Sequence, residues 1–122
     1  MKSCNVFAVL VTLILFPCWM RGTYLRQTIK NTTKGQVNDA VIQFDGHITT
    51  VKMGGATGVI NKGVTQDTGE FAQKTFGTLD MGDTIDVDFS PTGLAGSATA
   101  IVANSGHWTF DGANKGAITT DR

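Results

Sequence analysis

The sequence predicts an all-β protein: a small antiparallel β-sandwich of jelly-roll or Ig-like type, with about eight short strands behind an N-terminal export segment. Three observations carry this. Beyond Thr23 the chain is rich in Thr, Val, Ile and Gly, and no apolar stripe of helical period lasts three turns. Its apolar residues recur at every second position, the spacing that sends alternate side chains to opposite faces of a strand. Turn-forming residues interrupt these runs every 8 to 12 residues or so, which is the punctuation of sandwiches and barrels.

Residues 1–22 read as the export segment. Lys2 forms a short cationic start, and an apolar run extends from Val6 to Phe16, broken only by Thr12 and ended by Pro17. That run suits a signal-peptide core and falls short of the roughly 18–20 apolar residues of a membrane span. Cys18, preceded by Leu15-Phe16-Pro17, lacks the small residues that flank lipidated cysteines. No A-x-A-like site is present either, so cleavage falls best after Gly22, and retention as an uncleaved anchor is the alternative.

Residues 23–122 then form a single domain of about 100 residues, enough for one core and no second lobe. Tyr24 to Asn31 is the first expected strand, with Leu25 and Ile29 on one face and Arg26, Thr28 and Lys30 on the other. Ala40 to Phe44 and His47 to Met53 follow, and Asp45-Gly46 between them reads as a two-residue hairpin turn. Gly54, Gly55 and Gly58 crowd the next connection. Gly58 to Val64 reads as a short strand and Glu70 to Leu79 as a longer one. The sharpest alternation is Thr84-Ile85-Asp86-Val87-Asp88-Phe89-Ser90, a strand with one wet face, stopped by Pro91 and Gly93. Ser97 to Ala103 reads as a strand of small residues covered on both faces; Gly106 to Phe110 and Ala117 to Thr120 complete the set. Phe-Asp-Gly occurs at 44–46 and again at 110–112, which reads as two turns rather than a repeat.

Composition excludes several functions. Of ten basic residues, Lys2 and Arg21 lie in or beside the leader, leaving eight against ten acidic groups in the domain. A net charge of that sign gives no basic surface for nucleic acid. Both cysteines, Cys4 and Cys18, also fall in the leader, so the domain is disulfide-free and depends on packing and sheet hydrogen bonds. No G-x-S-x-G, no H-E-x-x-H and no domain cysteine is present to supply a nucleophile or a zinc site. His47 and His107 lie at expected strand ends, where each is a surface residue or a base.

The acids offer more. Asp80, Asp83, Asp86 and Asp88 fall within nine residues, and strand period puts Asp86 and Asp88 on one solvent face. Asp83, Asp86 and Asp88 are thus the candidate ligands for calcium, which takes oxygen donors. The competing reading is a solvated charge row that guards against aggregation. A glycosidase pair is disfavoured, since a flat strand face offers no cleft to distort a sugar. Trp108 and Phe110 share a face, with His107 beside them, and form a binding platform if that face points outward. Turned inward, they seal a core with Phe44, Phe71, Phe76 and Phe89. Asn31-Thr32-Thr33 satisfies the N-glycosylation sequon at the end of the first strand, relevant in a eukaryotic source.

Ile29-Lys30-Asn31-Thr32-Thr33 at the end of a first strand, followed by a small surface-acting β-sandwich, resembles the aegerolysins. That resemblance implies lipid binding. The chain lacks the tryptophan-rich and cysteine-bearing segments expected there, so no functional residue is carried over. The expected function is that of a secreted or cell-surface, non-catalytic β-sandwich acting by binding or self-assembly, as a coat, filament or adhesion-type subunit. Homo-oligomers through edge strands such as Tyr24 to Asn31 are the expected partners, with a lipid or glycan surface as the alternative.

Overall fold

Alternation of Ile85, Val87 and Phe89 with Thr84, Asp86 and Asp88 builds the longest strand, and the two sheets are organised around its inner face. The computed structural model describes residues 24–71 and 76–120, so the proposed leader lies outside the described residues. Nine strands are present there: β1 (Leu25–Lys30), β2 (Asp39–Gln43), β3 (Ile48–Met53), β4 (Ala56–Thr57), β5 (Val59–Asn61), β6 (Thr68–Glu70), β7 (Thr84–Pro91), β8 (His107–Phe110) and β9 (Ala113–Ala117). They form two antiparallel sheets, β1-β7-β3-β4 and β5-β6-β2-β8-β9, with no helix among the described residues.

The inner faces meet in one core. Ile29, Val87, Phe89, Val51 and Met53 come from the first sheet, and Ala40, Ile42 and Trp108 from the second. The rings of Phe44 and Phe89 meet there at 4.7 Å between centroids, and Phe76 meets Trp108 edge-on at 6.4 Å. Trp108 is fully buried, so the inward of its two possible placements is the one adopted.

Asp45-Gly46 is not a hairpin turn. Strands β2 and β3 lie in different sheets, and neither Asp45 nor Gly46 has the positive φ that a two-residue turn requires. The chain crosses between layers here because the 96–100 loop holds it. Asp45 N–H donates to Ala100 C=O and His47 N–H to Gly96 C=O, while the Asp45 carboxylate accepts from Thr99 N–H, Thr99 Oγ1 and Ala100 N–H. A Cβ at Gly46 would stand 2.4 Å from Gly96 O, so only glycine permits this approach.

The second Phe-Asp-Gly does form a turn. Asp111 (φ 49°) and Gly112 (φ 88°) join β8 to β9, and Asp111 exchanges hydrogen bonds with the Asn38 side chain. The other two-residue hairpin is Gly54-Gly55, between β3 and β4.

Three expected strands differ. The expected Glu70 to Leu79 strand ends at Glu70; Phe76 lies in a turn, Gly77 has a positive φ (80°), Leu79 makes one isolated bridge to Val37, and residues 72–75 lie outside the described set. Ser97 to Ala103 is an irregular segment with two isolated bridges, although Ala98 and Ile101 are buried as expected. Its central N–H groups are drawn to side chains instead of a neighbouring strand, Thr99 and Ala100 to Asp45 and Ile101 to Gln27 Oε1 at 2.8 Å, while Ala98 and Val102 donate to the His47 and Gln43 carbonyls on either side. The last strand is Ala113–Ala117, because the Asp111-Gly112 turn returns the chain at once, and it precedes the expected Ala117 to Thr120.

Candidate functional site

The carboxylates expected to gather calcium do not converge. Asp86 and Asp88 share the outer face of β7, as alternation requires, but β1 places Arg26 and Thr28 against them. Arg26 grips Asp88 with two bonds of 2.7 and 3.0 Å and lies 3.4 Å from Asp86, which also accepts from Thr28 Oγ1. This guanidinium holds the Asp88 carboxyl below its ordinary range. Asp83 instead belongs to the turn before β7, its N–H bonded to Asp80 C=O. Among the described residues no group of three His, Cys, Asp or Glu side chains is placed to hold a metal. The result is a charge ladder, Arg26-Asp88-Lys52, across three strands.

His47 takes part in a cluster the sequence did not advertise. Asp67, whose side chain is fully buried, accepts four hydrogen bonds: from His47 Nδ1 (3.0 Å) and Gly63 N–H (3.1 Å) on Oδ1, and from Ile48 N–H (3.0 Å) and Lys62 Nζ (3.0 Å) on Oδ2. Burial pushes this carboxyl up, yet the Ile48 N–H, His47, Gly63 N–H and Lys62 together outweigh it and hold the group well below the usual carboxylate range. Lys62 Nζ also donates to Ile48 C=O at 2.6 Å. Asp67 thus ties the layer crossing, the start of β3 and the 62–67 loop together. Nothing in Gln66-Asp67-Thr68 signals such a role, since Asp67's partners come from two other stretches of the chain, 47–48 and 62–63.

The three residues proposed as a platform are divided by the strand itself. Trp108 points into the core, with its indole N–H unpaired among the described residues. His107 points the other way, in an outer row with Glu70, Val41 and Ala117. Phe110 is half-buried at the end of β8.

Asn31, the sequon asparagine, is fully buried. Its Nδ2 donates to Gly35 C=O (2.8 Å) and Leu79 C=O (3.2 Å), and its Oδ1 accepts from Thr33 N–H (3.0 Å) and Thr33 Oγ1 (2.6 Å). The Asn-x-Thr pattern here encodes an Asx turn, and a glycan on Nδ2 is incompatible with this packing.

The outer edge of β1 is the remaining candidate. Asn31 N–H donates to Asp83 C=O and Asn31 C=O accepts from Gly82 N–H, so Asn31 directs both backbone groups toward the β7 side. Antiparallel strands alternate in this respect, so Leu25, Gln27 and Ile29 bond β7 whereas Arg26, Thr28 and Lys30 aim their N–H and C=O groups away from it. Gly54 N–H donating to Asp86 C=O agrees, since Asp86 opposite Thr28 faces β3. Among the described residues β1 has β7 as its one sheet neighbour. No protein-family model, curated protein or solved structure matches this chain.

Proposed function

We propose that this is a secreted or surface-exposed, non-catalytic β-sandwich that works by self-association or binding through the β1 edge, as a coat, filament or adhesion-type subunit. The observation that carries the reading is the row of outward backbone groups at Arg26, Thr28 and Lys30. The other edges are blunted in ways that oppose pairing: β4 has two residues, β5 has three, and β9 carries a bulge and Lys115. Strand β1 is six residues long and lacks both bulge and proline, and Arg26 is neutralised by Asp88 on its own face. An incoming strand adds to such an edge through main-chain hydrogen bonds. The apolar run from Val6 to Phe16 supports an address outside the cytosol. The absence of a catalytic role is supported by how the acids are used: Asp45, Asp67 and Asp88 are occupied by internal donors.

The test is light scattering across a concentration series on the chain and on Thr28→Pro, which removes a donor aimed away from β7. Wild type is expected to associate as concentration rises. Thr28→Pro is expected to shift it to monomer while the unfolding midpoint changes little. A strict monomer at high concentration, or assembly indifferent to Thr28→Pro, overturns the reading.

A further inference from the structure

Beside the β8–β9 hairpin, two rigid pieces of backbone hold two lysines around one aromatic ring. The first piece is the Asx turn after β1. Its bonds from Asn31 to Thr33 and Gly35, with Thr33 Oγ1 donating to Gly35 C=O at 3.0 Å, fix the segment that carries Lys34 at its exposed tip. The second piece is the bulge in β9. Trp108 pairs with Gly116 and Thr109 with Asn114, which leaves Lys115 as the extra residue, and the Gly116 N–H is bonded to Asn114 Oδ1 at 2.9 Å. Bulges of this kind re-aim a side chain. The two pieces adjoin, since a Cβ on Gly116 would lie 3.5 Å from Thr33 Cγ2. Between them opens a groove of about 370 Å³ lined by Thr33, Lys34, Gly35, Gln36, Phe110 and Lys115.

We infer that this groove binds an acidic saccharide, with a sugar ring against Phe110 and its carboxylate or sulfate between Lys34 and Lys115. Neither lysine has an ion-pair partner among the described residues, whereas Arg26 and Lys62 do. Ammonium groups are strongly hydrated point charges that suit a compact anionic substituent, and an aromatic side chain presents an apolar face for the C–H side of a sugar ring. The volume lies within the range of small-ligand sites, roughly 300–1,000 Å³, and an open groove admits one unit of a longer chain. The large exposed apolar side chains, Tyr24, Val59, Val64, Met81 and Leu94, are not among its lining, which disfavours insertion into lipid. An acidic balance of ten to eight beyond the leader disfavours nucleic acid. The inference does not use the β1 edge: of the expected platform of Trp108, Phe110 and His107, Phe110 alone lines this groove.

Calorimetric titration tests it with five probes: trigalacturonate, a heparin-derived tetrasaccharide, neutral maltotriose, inorganic sulfate, and phosphatidylserine–phosphatidylcholine vesicles. At least one acidic oligosaccharide is expected to bind, more weakly as salt rises. Lys115→Gln and Lys34→Gln are each expected to weaken it roughly fivefold, the scale of one exposed ion pair. Phe110→Leu, which keeps the burial but removes the ring face, is expected to do likewise. Lys115 is exposed on a bulge, so its variant folds and keeps the test decisive. Failure of both acidic oligosaccharides to bind overturns the inference, as does binding indifferent to Lys115→Gln. So does maltotriose or sulfate binding as tightly as the acidic oligosaccharides. Vesicle binding abolished by the same variants assigns the groove to a membrane surface and overturns it as well.

Discussion

Replacing Asp67 by Asn turns one carboxylate oxygen into an NH₂ group and leaves the side chain's shape unchanged, so it isolates the hydrogen-bonding role of the buried acid. An amide has one acceptor where four donors converge in two pairs. With NH₂ in the Oδ2 place, it meets Ile48 N–H and Lys62 Nζ. With NH₂ in the Oδ1 place, it meets Gly63 N–H and His47, whose ring accepts at Nδ1 by changing tautomer. The second arrangement costs less. It leaves the Gly63 N–H orphaned, about 1–3 kcal/mol, and exchanges a charge-assisted bond from Lys62 for a neutral acceptor, about 1 kcal/mol. The sum, about 2–4 kcal/mol, is a large part of the roughly 5–15 kcal/mol that holds a domain folded. It corresponds to a fall in Tm of about 10–25 °C for a domain of this size.

Urea unfolding followed by Trp108 fluorescence, on residues 23–122, measures the difference. Lys62→Met is the internal control: it removes one donor from Asp67 but leaves Ile48 N–H on the same oxygen, so it costs about 1–2 kcal/mol. An Asp67→Asn change below about 0.5 kcal/mol, or a larger cost for Lys62→Met, refutes the reasoning. The pH dependence has a defined sign. The folded pKa of Asp67 is depressed, so between it and the unfolded value the unfolded chain binds more protons. This stabilisation is complete above the unfolded pKa of about 4 and is lost as pH falls through the folded pKa, so the wild-type midpoint declines below about pH 4. Asp67→Asn removes its share of that decline.

The two Phe-Asp-Gly copies make a paired prediction. Gly46→Ala drives a Cβ into backbone at 2.4 Å from Gly96 O and is expected to cost about 3 kcal/mol, whereas Gly112→Ala places a side chain at a φ of 88°, about 1–2 kcal/mol. Equal chemical-denaturation midpoints for the two variants disprove the assignment of one as a layer crossing and the other as a turn. Asn31→Ala removes all four bonds of a buried amide and is expected to cost about 2–4 kcal/mol, while Thr32→Ala, which leaves that network intact, costs under about 0.5 kcal/mol. Thermal melts of the two decide it, and a smaller loss for Asn31→Ala refutes the Asx-turn role.

Alternation made the strands legible. Ile85, Val87 and Phe89 against Asp86 and Asp88 leave one register possible for β7, because a one-residue slip turns every side chain to the other face. Leu25 to Lys30 carries the same information for β1. The connections were not legible, because identical tripeptides obey different neighbours. Asp111 exchanges bonds with Asn38 and turns, while Asp45 is claimed by Thr99 and Ala100 and crosses. Ser97 to Ala103 has the composition of a strand, but side-chain acceptors capture the N–H groups of Thr99, Ala100 and Ile101 at its centre, which a ladder would need. The candidate sites divide similarly: strand period put Asp86 and Asp88 on one face, but only the β1–β7 pairing reveals Arg26 between them. Lys34 and Lys115 are far apart in sequence, and neither sits in a pattern that announces the groove they share.

The pairing of the first strand with the seventh also sets an order in time. Leu25 lies opposite Phe89 and Lys30 opposite Thr84, so β1 has no native ladder until most of the domain is available. A chain delivered from its N-terminus holds Arg26 to Lys30 as a waiting strand while β2 to β6 emerge. Closing so long a loop slows folding, and topologies dominated by distant pairings fold in about milliseconds to seconds. During that interval both sides of β1 are open. Another strand arriving first takes the place of β7, and the strand that completes the domain is then the one most exposed to mispairing.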